Sequence, residues 1–400
     1  MIATIEKSRA VGKVVAPPSK SMGHRNLICA AFSQKSTVRG VDFSQDIKAT
    51  LTCLEALGAN VEIDGDTVTL GGLGINPIKE KSLYCNESGS TLRFMIPICL
   101  LEDYSLTLTG SQRLFERPNK IYEDICKSQN LMFEQDGNSI KVKGKLKSGD
   151  FVIPGNISSQ FITGLMFVLP LLDGDSTITL TGKTESRSYI SLTIKALSDF
   201  GIEVKQIKED TYYIKGGQRY LNRDVKVEGD YSNAAFFSAF NYIGGEVEIE
   251  GLDETSLQGD KVYEKYFPLL AKEKARLDIS DCPDLAPILF ALSAAKHGGI
   301  FDGTKRLKIK ESDRAEAMKE ELSKFGINVK VEENRVEVEK GELITPKVLL
   351  HGHNDHRIVM ALSVLCSLTG GSIDDAESVR KSFPDFFERL SQTGIKSEVK

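Results

Sequence analysis

The chain has 400 residues, 40% of them hydrophobic and 27% charged, with a net charge of −5. That balance excludes a disordered chain and argues against general affinity for nucleic acid, and the length exceeds one ordinary core, so two or three domains are expected. The most apolar stretch, Phe161 to Leu172, falls short of the roughly 18 residues of a membrane span, so no membrane association is expected. The opening Met-Ile-Ala-Thr-Ile-Glu-Lys lacks the basic flank and apolar core of a signal peptide, which points to the cytoplasm. Cys29, Cys53, Cys85, Cys99, Cys126, Cys282 and Cys366 are odd in number and scattered, with no Cys-x-x-Cys pair. They read as core fillers, neither a zinc knuckle nor a disulfide framework.

Taken in order, the chain begins with an extended entry segment that ends at Pro17-Pro-Ser-Lys-Ser-Met-Gly-His-Arg25, where an apolar helix opens. The prolines keep the preceding residues out of helical geometry, and the serines can cap the unpaired donors of a helix N-terminus. Lys20 and Arg25 add full charges to the dipole there, a combination suited to a phosphate or carboxylate.

An amphipathic helix, a glycine or its equivalent, and an alternating hairpin then recur about every seventy residues, a spacing in the range of repeat architectures. Gly58, Asn130, Gly201, Gly326 and Gly394 mark the helix ends, where a left-handed residue is wanted. The gap from Gly201 to Gly326 has room for one further copy, and a worn one without glycine lies at Tyr263 to Leu277. Hairpins such as Val61 to Leu70 and Val329 to Val338 keep the period of half-buried strands. Each copy also carries an earlier helix that is apolar nearly all round and so belongs inside: Asn26 to Phe32, Leu92 to Leu101, Phe161 to Leu172, Ala234 to Tyr242, Leu285 to Ala295 and Ile358 to Leu368.

The architecture expected is an α/β (α+β) inside-out barrel in two domains of three βαβαββ-like units, with parallel helices buried and sheets outside. The sixth unit reaches Lys400 without its final hairpin strands, so Ile2 to Val15 is expected to complete it. The domains are then 18–228, and 1–17 with 229–400, with the active site in the cleft between them.

Polar residues stand just before the inner helices: Lys20, Ser21 and Arg25; Glu87-Ser-Gly-Ser-Thr-Leu-Arg93; Ser158-Ser-Gln160; Asp230-Tyr-Ser-Asn233; Cys282-Pro-Asp284; and Asn354-Asp-His-Arg357. Caps alone would explain the Ser, Asp and Asn, but not the accompanying Lys and Arg. Further cations lie in Glu116-Arg-Pro118, expected in a connecting loop, and in Arg380-Lys-Ser-Phe-Pro384. The densest run, Thr304 to Arg314, alternates like a strand with one functional face and has none of the interleaved aromatics of a nucleic-acid platform. Lys310, Glu311 and Arg314 gather at its end, a mixed cluster that suits proton transfer beside an anion. Gly71-Gly-Leu-Gly74 follows a strand with no helix after it and reads as a turn.

Together, Pro-Pro-Ser-Lys-Ser, Glu-Arg-Pro, Ser-Ser-Gln-Phe, Lys-Glu-Ser-Asp-Arg, Asn-Asp-His-Arg and Lys-Ser-Phe-Pro-Asp resemble, from Pro17 to Pro384, the 5-enolpyruvylshikimate-3-phosphate synthase family (3-phosphoshikimate 1-carboxyvinyltransferases). The resemblance implies the same two-domain fold of six units. It implies enolpyruvyl transfer from phosphoenolpyruvate to shikimate 3-phosphate by addition and elimination, with neither metal nor nucleotide cofactor. Shikimate 3-phosphate would be held by Lys20, Ser21, Arg25, Ser158, Ser159, Gln160, Ser186, Tyr189, Asp284 and Lys310. Phosphoenolpyruvate would be held by Lys20, Gly89, Arg117, Gln160, Arg314, Arg357 and Lys381. Asp284 matches the carboxylate that takes the hydroxyl proton, and Glu311 and Lys20 match the groups that move protons at the vinyl carbon. Lys20 is expected among other cations, which would ease its deprotonation. Two positions depart from the family: Glu87 and Arg306 stand where many members have Asn, and neither is counted in the site.

Three alternatives are weighed beside this. The related transferase acting on UDP-N-acetylglucosamine typically has a reactive cysteine in a mobile loop, and Ser111 to Pro118 has none. A metal-dependent hydrolase could be built on His351-Gly-His353-Asn-Asp-His356, but no accompanying Cys or carboxylate motif defines a coordination set. A non-catalytic anion-binding scaffold would have no use for Asp284 and Glu311. A monomer is expected, with two small-molecule substrates as its partners.

Overall fold

The repeating unit is a strand, a buried helix, a second strand parallel to the first, an outer helix and an antiparallel hairpin. The computed structural model describes residues 1–400. In the second unit these are Ser82–Tyr84, Gly89–Cys99, Leu106–Thr109, Lys120–Ser128, Met132–Asp136 and Ser139–Lys143, with the last strand seated between the second and third. The same order recurs in the sheets of the third and fifth units, which begin at Asp150–Pro154 and Ala275–Asp278. The parallel pair requires a crossover, and the inner helix supplies it.

The other units deviate instructively. The first borrows its opening strand from Asp224–Lys226, which pairs parallel with Ser36–Arg39. In the sixth, Ala3–Ile5 lies antiparallel between Gly371–Ile373 and Ser397–Val399. One final strand is therefore present before Lys400, and only the first N-terminal strand completes this sheet. The second, Val11–Val15, runs parallel to Glu246–Glu250 of the fourth unit. That unit has no hairpin at all: its outer helix Tyr263–Lys272 leads directly into Ala275–Asp278, the first strand of the fifth unit. Without a hairpin to enter, no left-handed residue is needed, which explains the missing glycine. Gly58, Asn130, Gly201 and Gly326, which lead into hairpins, and Gly394, which leads into the single strand Ser397–Val399, all take positive φ.

The chain divides into two compact units, Pro18–Glu228 and Met1–Pro17 with Gly229–Lys400. Each has its own core, formed by inner helices enclosed within their sheets. Five inner helices start at a side-chain cap, with Ser19, Ser88, Ser158, Asp230 and Asp355 each accepting a backbone N–H. The sixth, Ala286–Ala295, is entered through a 3-10 turn at Pro283–Leu285 instead. No helix is long and apolar enough to cross a membrane.

Two local expectations are corrected. Lys305–Ile309 is a 3-10 helix rather than a strand, because Gly303 turns the chain (φ +82°) away from Gly299–Asp302, and the sheet beside it is already complete. The segment before Arg117 is not plain loop, since Gln112–Glu116 forms a short helix capped by Ser111.

Gly164 marks the close approach of two inner helices. A Cβ there would lie 2.6 Å from the Arg93 carbonyl oxygen and would press on the Tyr122 hydroxyl, which bonds the Arg93 carbonyl at 2.7 Å and the Phe161 carbonyl at 3.2 Å. Alanine is the better helix former by about 1 kcal/mol. Gly164→Ala should nevertheless destabilise the chain, by roughly 1–3 kcal/mol from overpacking. Urea denaturation of the variant checks this.

Candidate active site

Within the Pro18–Glu228 unit, the inner helices present their N-termini together. Arg25 on Lys20–Phe32 donates to the Ser21 carbonyl at 2.7 Å, the Thr193 hydroxyl at 3.0 Å and the Tyr189 carbonyl at 3.0 Å. It also lies over the Tyr189 ring, 6.0 Å from its centroid. Burial lowers its pKa to about 10, so it remains a cation at neutral pH. Ser186, which opens the helix carrying Tyr189, is buried and left-handed (φ +56°).

A second group surrounds Gly89. A Cβ on that residue would meet the Arg117 guanidinium at 2.5 Å, so only glycine lets Arg117 lie across the helix start. Gln160 accepts from Arg93 at 2.6 Å and donates to the Ser90 hydroxyl at 3.0 Å, while Arg93 also bonds the Pro118 carbonyl. Ser158 caps the backbone N–H of Gln160 at 3.3 Å, and Ser159 is buried next to it. Ser21, Arg25, Ser186 and Tyr189 thus form one cluster, and Gly89, Arg117, Ser158, Ser159 and Gln160 another.

Lys20 departs from the expected all-cation neighbourhood. Its ammonium pairs with the Asp46 carboxylate at 2.8 Å, with both side chains largely buried. Behind it runs a buried chain of hydrogen bonds: His24 Nδ1 to Thr50 (2.8 Å), Thr50 to Thr91 (2.7 Å) and Thr91 to Ser88 (2.8 Å). It ties the Lys20–Phe32 helix to the cap beside Gly89. Burial, then the charges of Lys20 and Arg25, hold the His24 pKa well below the ordinary range, so the imidazole is neutral.

In the other unit the charges are denser. Asp284 accepts from Arg314 at 2.7 Å and from Lys310 at 3.1 Å through one oxygen, and from Arg357 at 3.3 Å through the other. Burial alone would raise its pKa, but Arg357, Lys310 and Arg314 hold it well below the usual carboxylate range. Burial lowers the Lys310 pKa, aided by the charges of Arg314 and Arg306, against the pull of Asp284. Arg314 is itself fixed by Asp355 at 2.9 Å and Glu311 at 2.7 Å. Although burial opposes its charge, these carboxylates keep it firmly cationic. Lys381 bonds the Asn354 carbonyl at 2.5 Å, beside the start of His356–Thr369. Asn233 holds Ser382, next to Lys381, through both the carbonyl and the hydroxyl.

Arg306 is buried and donates to the Ser280 carbonyl at 2.9 Å. Its charge therefore belongs to the surroundings of Lys310. The three histidines face different partners: His351 pairs with Asp374, His353 with Glu321, and His356 is buried against Asp355. Glu320, Glu321 and His353 do approach one another, but Lys324 already sits 2.7 Å from Glu321 and 3.6 Å from Glu320.

Sequence reasoning missed Asp46 and Asp260. Asp46 reads as an ordinary acid in the first turn of an outer helix. Asp260, in Leu257-Gln-Gly-Asp260, has no local signal. Burial, then the charge of Asp284, raises its pKa to about 7.

The two solved structures most useful for comparison define the fold class. EPSP synthase from Acinetobacter baumannii superposes with a TM-score of 0.81 over 100% of this chain and 99% of that one, at 21% identity. The enolpyruvyl transferase NikO from Streptomyces tendae gives 0.76 over 99% and 98%, at 12% identity. Both share the two-domain inside-out α/β architecture. At the level of sequence, residues 5–390 match the family described as EPSP synthase (3-phosphoshikimate 1-carboxyvinyltransferase). The chain is 39% identical to the 3-phosphoshikimate 1-carboxyvinyltransferase of Clostridium kluyveri, covering 98% of this chain and 97% of that one. It is 40% identical to that of Clostridium acetobutylicum, covering 96% and 95%. The chain belongs to the EPSP synthase family.

The Asp260 proton has a consequence for stability. The folded chain keeps that proton where the unfolded chain has lost it, so this group's contribution falls as pH rises from about 4 toward 7 and is level above. Asp284 and Asp355, whose pKa values are depressed, act in the opposite sense and only at lower pH, as they protonate. Asp260→Asn should therefore melt higher than the parent at pH 8 and lose that advantage near pH 5. Thermal unfolding at the two pH values checks it.

Proposed function

We propose that the chain transfers the enolpyruvyl group of phosphoenolpyruvate to the 5-hydroxyl of shikimate 3-phosphate and releases phosphate, in the shikimate pathway leading to chorismate and aromatic amino acids. It does so as a cytoplasmic monomer. The observation that carries this reading beyond family membership is Asp284, a carboxylate kept ionised by three cations within 3.3 Å. Such a carboxylate compensates the buried cations and also leaves an ionised acceptor among them, which proton transfer requires and anion binding does not. Transfer to UDP-N-acetylglucosamine fits less well, since the match to the EPSP synthase family runs nearly the whole length of the chain.

The step adds the substrate O–H across the vinyl double bond, with oxygen going to C2 and a proton to the methylene. The resulting tetrahedral adduct loses phosphate from C2 and a proton from its methyl group, which restores the double bond in the product. Asp284 accepts the hydroxyl proton. Glu311 and Lys20 deliver and later remove the proton at the methylene, each already poised on an ion pair, with Arg314 and Asp46 respectively. Ser21, Arg25, Ser158, Ser159, Gln160, Ser186 and Lys310 hold shikimate 3-phosphate, with Tyr189 against its ring, and Lys20 and Asp284 also touch it. Lys20, Gly89, Arg117, Gln160, Arg314, Arg357 and Lys381 hold the phosphate and carboxylate of phosphoenolpyruvate. Fixed cations of this kind stabilise developing charge without reorganising during the reaction.

The direct test is phosphate release from phosphoenolpyruvate by purified protein in the presence of chelator. Release that requires shikimate 3-phosphate is expected, whereas release with UDP-N-acetylglucosamine in its place would transfer the chain to the other branch. Asp284→Ala should lower kcat by about 10²–10⁴, the usual contribution of a general base. Arg117→Ala should chiefly raise the KM for phosphoenolpyruvate, by about tenfold or more, through loss of a charge-assisted contact. Steady-state kinetics of both variants separate the two roles.

A further inference from the structure

The Pro18–Glu228 unit has a second concave site at the opposite ends of its inner helices. A cavity of about 860 Å³ opens where Phe32 ends the first inner helix, Leu101 follows the second, and Leu171 and Leu172 end the third. Helices of 10 to 13 residues separate it from Lys20, Gly89 and Gln160, a distance of about 15–20 Å. Its volume lies within the range of small-molecule sites, roughly 300–1,000 Å³.

The repeat makes the floor of this cavity apolar. Helix C-termini expose carbonyl groups, which would favour a cation. Here the segment after each hairpin returns to cap its own inner helix: Leu73 N–H to the Ala31 carbonyl at 2.9 Å, Leu146 N–H to Leu100 at 2.8 Å, and Gln218 N–H to Pro170 at 2.8 Å. With those carbonyls satisfied, the side chains of the returning segments face the cavity. Leu73, Leu146 and Leu221 are among them, and Leu172 at the end of the third inner helix lies beside them. Tyr220 forms a rigid aromatic wall, stacked on Phe32 at 5.2 Å between centroids and anchored by its hydroxyl to the Phe167 carbonyl at 2.7 Å.

The three units are equivalent in backbone but not in charge. Lys145, Lys147 and Arg219 line the cavity against Glu102 and Asp173. Lys145 is within 3.8 Å of Glu102. The Lys147 ammonium and the Arg219 guanidinium make no hydrogen bond or ion pair, so the rim keeps a cationic excess beside an aromatic and aliphatic floor. We infer that this cavity binds a small amphipathic carboxylate, with an aryl or branched apolar body against Tyr220 and the leucines and its carboxylate paired with Lys147 and Arg219. The site is separate from the one that binds the substrates, and occupying it leaves them in place.

The test uses the full chain and 4-phenylbutyrate as probe, measured by isothermal calorimetry, with 4-phenylbutyramide and phenethylamine as its neutral and cationic counterparts. Saturable one-to-one binding of the acid is expected, at least about tenfold tighter than either counterpart and unchanged by saturating shikimate 3-phosphate. The double variant Lys147→Ala/Arg219→Ala should bind the acid about tenfold more weakly while melting like the parent. No saturable binding, equal binding of the amide, tighter binding of the amine, or displacement by shikimate 3-phosphate would each overturn the inference. The comparison of the three probes on the parent protein holds even if the double variant folds poorly.

Discussion

Six helices that are apolar nearly all round can be stable only inside, and once each is enclosed by the sheet of its own unit, only its ends remain to meet solvent or ligand. The rest of the structure depends on that constraint. At one end the unpaired N–H groups and the dipole call for caps and anions, and Ser19, Ser88, Ser158, Asp230 and Asp355 supply the caps. At the other end the carbonyls must be satisfied, and returning backbone does this in all three units of the Pro18–Glu228 half. One repeat therefore produces a polar, ligand-ready face and an apolar one on the same bundle.

At the helix starts of each compact unit, carboxylates pair locally with buried cations. Lys20 has Asp46, while Arg314 has Asp355, Glu311 and Asp284. Burying cations with their partners avoids the several kcal/mol penalty of an unpaired buried charge. The same pairing keeps Asp284 ionised at neutral pH against its burial, through the charges of Arg357, Lys310 and Arg314. Asp260 shows the reverse case: with Asp284 already holding the nearby cations, the next buried carboxyl keeps its proton up to about pH 7.

Local patterns were legible in the sequence, whereas of the long-range closures only the return of the N-terminal segment to the sixth sheet was, and that only for Ala3–Ile5. All six inner helices could be read from their apolar character, and five outer helix ends from a glycine or asparagine that takes positive φ in the structure. The polar residues at the helix starts were visible because caps and cations rarely recur in phase by chance. What escaped depended on contacts distant in sequence. Asp224–Lys226 completing the first sheet, Val11–Val15 crossing to the fourth, and Asp46 facing Lys20 leave no periodic trace near themselves. Lys305–Ile309 misled for a different reason: its alternation of cations and aliphatics is genuine, but the turn at Gly303 and an already complete sheet leave it no strand to pair with.

The central claim is that the chain's own acid and base groups add a proton to the vinyl carbon and later take one away. Running the reaction in deuterium oxide with both substrates, and examining the phosphoenolpyruvate recovered before completion, tests this most directly. A methyl group formed in the adduct returns to starting material with solvent deuterium on C3, so the account predicts label there that depends on shikimate 3-phosphate and is suppressed in Glu311→Gln. Product formed with no deuterium in either the recovered phosphoenolpyruvate or the product's vinyl group would contradict it.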